Sequence, residues 1–137
     1  MTKKVFIVED EPDLRATLQY NFENEGFKVK SFPNWESFLE TIKNDKPNLV
    51  ILDLMLPGIS GLDVCRELRM NEVYENVSVV MLTAKSEEID RIVGFELGAD
   101  DYVTKPFSVR ELILRVKVLL KKRSDDIDQN LLEFGPI

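Results

Sequence analysis

The feature that most constrains this chain is a set of short apolar runs, each alternating with a helix-period segment. Val5-Phe6-Ile7-Val8 leads into Glu9-Asp10-Glu11, and Leu49-Val50-Ile51-Leu52 into Asp53. Val79-Val80-Met81-Leu82 ends at Thr83, and Tyr102-Val103-Thr104 delivers Lys105-Pro106. Continuously apolar runs suit strands covered on both faces. Their alternation with helical segments predicts an α/β fold, a doubly wound parallel sheet. In such a sheet the carboxyl ends of the strands form one rim, where ligands bind at the point of strand-order reversal. Acids, a hydroxyl and an ammonium that lie far apart in sequence then converge on one cleft. That set suits an aspartate taking up a phosphoryl group with a divalent cation.

The pattern predicts strands near residues 4–9, 27–32, 48–53, 77–82 and 100–104. A first helix starts near Pro12, a favoured first-turn residue, and stops at Gly26, with Leu14, Leu18 and Phe22 as its buried stripe. A second, behind a cap at Asn34, buries Trp35, Phe38, Leu39 and Ile42. A third runs from about Leu62 to Met70, and a fourth from Glu87 to Leu97 with Gly98 as its stop. The fifth, capped by Ser108, carries Val109, Leu112, Ile113, Val116, Leu119 and Leu120 on one face. After Lys121-Lys122-Arg123 the stretch 124–130 is polar and reads as a linker. Residues 131–137 then begin a new apolar segment, as expected where a further domain has been cut away. The division is thus 1–123 for one domain and 124–137 for a linker and the start of another.

At 137 residues, 44% hydrophobic and 31% charged, the main domain has room for a sizeable core. A net charge of −7 argues against this segment gripping nucleic acid itself. The lone Cys65 forms no internal disulfide, no signal-peptide pattern precedes the first strand, and no run is long enough to span a bilayer; a cytoplasmic setting is expected.

Glu11 is explained by placement at a helix amino terminus. Glu9 and Asp10 are not, because Asp53 arrives beside them on the adjacent strand. Two carboxylates ~4 Å apart repel by about 4 kcal/mol at an effective dielectric of 20. Several on one rim require a cation, or a proton on one of them. Hard oxygen ligands with room for water favour Mg²⁺, with Mn²⁺ as a substitute. Asp53 is the candidate nucleophile for an aspartyl phosphate. Thr83 offers a hydroxyl and Lys105 a compact positive charge to the phosphoryl oxygens. The turn Leu56-Pro57-Gly58 brings backbone close, so that Met55 can offer its carbonyl to the metal. The sequence leaves the isomer of the Lys105–Pro106 bond open, with trans as the base rate.

With these residues in place, the chain resembles the receiver domain of two-component response regulators over residues 3 to about 122. Glu9-Asp10, Asp53, Met55-Leu56-Pro57-Gly58, Thr83-Ala84 and Lys105-Pro106 stand at the family's positions and in its order. The run from Gly98 to Phe107 is similar to the winged-helix transcription-factor branch. The resemblance implies a flavodoxin-like, five-stranded sheet of order 2-1-3-4-5 with five helices. It implies that Asp53 accepts phosphate from a phosphohistidine on a sensor histidine kinase, and that Asp10, Asp53 and the Met55 carbonyl bind Mg²⁺ with Glu9 acting through water. Thr83 and Lys105 would hold the phosphoryl oxygens, and Tyr102 would be the switch aromatic.

In that branch the fourth helix, fifth strand and fifth helix make a homodimer face. Its ion pairs would here join Arg91 to Glu111, Asp101 to Arg115 and Asp100 to Lys122. Met55 and Lys85 would flank the route of an attacking water, and neither orients water well, so slow loss of the phosphate is expected. The resemblance implies a phosphoacceptor signalling domain rather than an enzyme, with DNA reached only through a domain absent from these residues and no membrane contact.

Rival functions fit less well. A phosphatase of the haloacid-dehalogenase type needs a second acid two residues after its aspartate, and Met55 stands there. A flavin-binding module needs a phosphate loop after the first strand, where Glu9-Asp10-Glu11 would repel one. A stand-alone adaptor acting by protein contacts remains the alternative.

Overall fold

The computed structural model describes residues 2–54, 56–58, 60–84 and 98–133. Five strands, β1 (Lys4–Val8), β2 (Lys28–Phe32), β3 (Leu49–Asp53), β4 (Ser78–Ala84) and β5 (Asp101–Lys105), form one parallel sheet of order β2-β1-β3-β4-β5. The expected order is therefore found. Helices α1 (Pro12–Asn24), α2 (Trp35–Ile42), α3 (Gly61–Met70) and α4 (Val109–Glu133) are described, with a 3₁₀ turn at Glu72–Tyr74. The helix expected from Glu87 to Leu97 lies outside the described residues.

Side chains alternate across the strands and so sort the core into two layers. Phe6, Val8, Val50, Leu52, Val79, Met81 and Tyr102 face α2 and α3, meeting Trp35, Phe38, Val64 and Leu68. Val5, Ile7, Leu49, Ile51, Val80, Leu82 and Val103 face α1 and α4, meeting Leu18, Phe22, Leu112 and Val116. Central β1 and β3 are buried on both faces, as their unbroken apolar runs require. β2 departs from that pattern. It alternates exposed lysines with Val29 and Ser31, because it is an edge strand covered less completely.

Local signals set the helix ends. Pro12 occupies the first turn of α1. The Asn34 side chain accepts from the Ser37 amide and Ser60 accepts from Leu62, both as N-caps. The last helix differs from expectation at its far end. It continues to Glu133, through residues 124–130 that composition marked as a linker and into the apolar segment that follows. No glycine or proline interrupts the chain from Val109 until Gly135-Pro136, so no residue there forces the helix to stop.

Candidate phosphoacceptor site

The alternation that sorts the core also sorts the rim. Glu9 follows Val5 and Ile7, Asp53 follows Leu49 and Ile51, and Lys105 follows Val103, all on the α1/α4 side. Three residues far apart in sequence thus reach one edge from the same face. The Lys105 ammonium donates to Asp53 Oδ2 at 2.8 Å and to Glu9 Oε1 at 3.1 Å. Asp10 joins them: ligand atoms of Glu9, Asp10 and Asp53 all lie within 4.8 Å of one another. Glu9 and Asp53 are each 1% exposed, whereas Asp10 is open to solvent. The Lys105–Pro106 bond is cis.

Thr83 is placed differently. It continues Val79 and Met81 on the α2/α3 side, in register with Thr104 and diagonal to Tyr102. Its hydroxyl is wholly buried and has no hydrogen-bond partner among the described residues. The acids and Thr83 therefore sit at the same ends of the strands on opposite faces of the sheet. Tyr102 is 5% exposed and packed into the α2/α3 layer. Met55 and Lys85 lie outside the described residues.

Crowding leaves an electrostatic signature. Burial raises the Glu9 carboxyl first, and its hydrogen bond to Asp53 and the Asp53 charge add to the rise. The Glu11 amide and Lys105 pull the other way, and Glu9 ends at a pKa of about 7. Burial disfavours the Lys105 ammonium, but hydrogen bonds and charge from Asp53 and Glu9 outweigh it and hold its pKa above the ordinary value.

Sequence reasoning missed Arg15. Its Nη1 donates to the carbonyl of Glu9 at 2.9 Å and to that of Asp10 at 3.4 Å. The available signal was its place one turn into the first helix, within reach of the preceding loop. Away from this rim, Arg115 pairs within the chain, with Asp101 at 3.0 Å and Glu111 at 3.2 Å. Asp100 Oδ2 accepts from Arg69 Nη2 and from the Val79 amide, each at 2.8 Å. Lys122 is exposed, and Arg91 lies outside the described residues.

The response regulator receiver domain model matches residues 5–117. The chain belongs to that family. It is 45% identical over 122 residues to the alkaline phosphatase synthesis transcriptional regulatory protein PhoP of Bacillus subtilis, covering 89% of this chain and 50% of the relative. It is 43% identical over 137 residues to the phosphate regulon transcriptional regulatory protein PhoB of Rhizobium meliloti, covering 100% of this chain and 60% of the relative. The chain thus spans 50–60% of the length of these relatives, whose names agree with the expected transcription-factor branch. Among solved structures, the receiver domain of the TMAO respiratory system response regulator TorR superposes with a TM-score of 0.82 at 43% identity. That match covers 88% of this receiver chain and 98% of the other. The BeF3-activated DrrB receiver domain gives 0.78 at 35% identity, covering 88% and 99%.

The raised Glu9 pKa has a consequence for the metal-free protein. Folded Glu9 keeps its proton to about pH 7, while unfolded Glu9 releases it near 4.5. The folded state therefore binds the extra proton, and this contribution to stability is complete below pH 4.5 and lost as pH rises through 7. Denaturant titrations of the wild type and of Glu9→Gln across pH 4.5–8 should differ in slope, with the wild type losing of order 2 kcal/mol more.

Proposed function

We propose that Asp53 is the phosphoacceptor of this receiver domain and that Glu9, Asp10 and Asp53, with the Met55 carbonyl, form its Mg²⁺ site. The observation that carries the reading is the Lys105 bridge between Asp53 and Glu9 inside an oxygen-only cluster with Asp10. Three carboxylates facing one ammonium leave a local excess of negative charge, and the proton held by Glu9 is one response to it. A hard divalent cation is another, and the donor set suits one that keeps part of its water shell. When bound, Mg²⁺ neutralises phosphoryl oxygens and lets an anionic donor approach an anionic nucleophile. Asp10 and Asp53 would ligate it directly and Glu9 through water.

The donor in this reading is a phosphohistidine of a sensor histidine kinase. An Asp53 carboxylate oxygen attacks phosphorus, the O–P bond forms, and the P–N bond breaks with its electron pair left on the imidazole. Lys105, already bonded to the oxygen that Asp53 presents, is placed to follow the charge onto a phosphoryl oxygen. Thr83, whose buried hydroxyl has no partner among the described residues, gains a hydrogen bond by turning toward the new group. That turn opens space beside Tyr102 on the same face, which couples the charge event to packing at β5. The domain acts as a phosphoacceptor that assists its own phosphorylation and loses the phosphate slowly, in a cytoplasmic setting.

The output in this reading is a homodimer through the face made by residues 87–97, β5 and α4, which controls transcription through a DNA-binding domain following the linker. The length and names of the curated relatives support that output. Arg91 would reach Glu111 of the partner subunit, and Asp101 and Arg115 would exchange their intrachain pair for one across the axis. Asp100 and Lys122 would make the third pair. Exposed pairs of this kind contribute about 0–1 kcal/mol each, so they set register more than affinity.

Incubation with a small-molecule phosphoryl donor and Mg²⁺ should label the wild type and leave Asp53→Asn unlabelled, with the circular dichroism of the variant unchanged. Mg²⁺-dependent label on another residue of the variant would defeat the assignment. Sedimentation velocity with Mg²⁺ and beryllofluoride should show a monomer-to-dimer shift; a species that stays monomeric at working concentrations contradicts the output.

A further inference from the structure

We propose that Arg15 is a positioning residue for the cation site, holding the β1–α1 loop so that Glu9 and Asp10 present their carboxylates together. The inference rests on the Mg²⁺ reading above and extends it to a residue whose side chain bonds to the backbone carbonyls of Glu9 and Asp10.

The loop needs an external tie. Glu11, at the N-cap of α1, makes no side-chain capping bond, and Pro12 supplies no amide. What orders the loop is a short set of hydrogen bonds. The Glu9 amide donates to the Phe32 carbonyl at 3.0 Å, fixing the end of β1 against β2. The Glu9 carboxylate is engaged at both oxygens, Oε1 by Lys105 and Oε2 by the Glu11 amide at 3.2 Å. Two backbone carbonyls then remain, those of Glu9 and Asp10, and Arg15 Nη1 takes both. A guanidinium is suited to this, since its planar donors hold two acceptors in a fixed direction.

The half-buried guanidinium makes no ion pair among the described residues, although Glu9, Asp10 and Glu11 surround its partners in sequence. Its bonds go to carbonyl oxygens, whose negative ends are thereby drawn to Arg15 rather than left to crowd the carboxylates. Lone acids repelling one another would tend to splay the loop; a cation on its backbone opposes that before any metal arrives. Groups that orient metal ligands from outside the coordination shell change metal affinity about 10- to 100-fold when removed.

Two physical roles for Arg15 predict opposite signs. As a bare positive charge near the site it opposes a divalent cation, and removing it tightens binding. As a positioning residue it favours the cation, and removing it weakens binding. Isothermal titration of Mg²⁺ into the wild-type chain, Arg15→Met and Arg15→Lys distinguishes them, alongside thermal melts of the metal-free proteins. The expected result is Mg²⁺ binding about tenfold weaker for Arg15→Met, with its metal-free melting temperature near that of the wild type. Arg15→Lys, which keeps a charged donor on a long stem, should recover most of the loss.

Unchanged or tighter binding by Arg15→Met overturns the proposal. A fall in affinity matched by a fall in melting temperature across both variants also overturns it, since Arg15 would then serve the fold alone. A wild-type chain that binds no Mg²⁺ sinks the underlying site reading instead, so the two failures are distinguishable.

Discussion

The Lys105 ammonium, bonded to both Asp53 and Glu9, is the interaction on which the site depends. It brings β5 to β1 and β3 across the end of the sheet and offsets part of a carboxylate cluster that would otherwise be untenable where two acids are 1% exposed. The offset is incomplete by design of the residue count. One positive charge faces Glu9, Asp10 and Asp53, so the cluster is left ready to accept further positive charge. A buried ion pair of this type adds little net stability compared with apolar packing. Its presence at the rim of an otherwise apolar sheet is better explained by chemistry than by folding.

The rest of the fold serves that juxtaposition. Two-residue alternation puts Glu9, Asp53 and Lys105 on the face that Ile7, Ile51 and Val103 define, with α1 and α4 packed beneath. The same alternation puts Thr83 and Tyr102 on the other face. The Thr83 hydroxyl is buried at the same end of the sheet, on the layer opposite the acids. Tyr102 shares that face with Thr83 and follows Asp101, which pairs with Arg115, on β5. Lys105 at the rim and Asp101 beside α4 thus belong to one strand, β5.

Much of this was legible in the sequence because strand ends are readable. An apolar run that stops at Asp53 or at Lys105 announces both the strand and the residue it delivers, and register then does the convergence. The cap at Asn34 was readable for the same local reason. What escaped depended on tertiary distance or on competition between weak signals. Arg15 reads as a solvated helix residue until its carbonyl partners are known. The bonds of Asp100 to the Arg69 guanidinium and the Val79 amide likewise depend on tertiary distance. Residues 124–130 were read as a linker because they are polar, whereas continuation of a helix turns on the absence of glycine and proline.

The central claim is that three carboxylates and one ammonium at this edge create a place for a single hard divalent cation. Crystals of the protein grown with Mn²⁺ and measured for anomalous scattering test it directly. The account predicts one anomalous peak within coordination distance of Asp10 and Asp53, with Lys105 still bonded beside it. A map with no peak there, or with its strongest peak elsewhere on the chain, would contradict it.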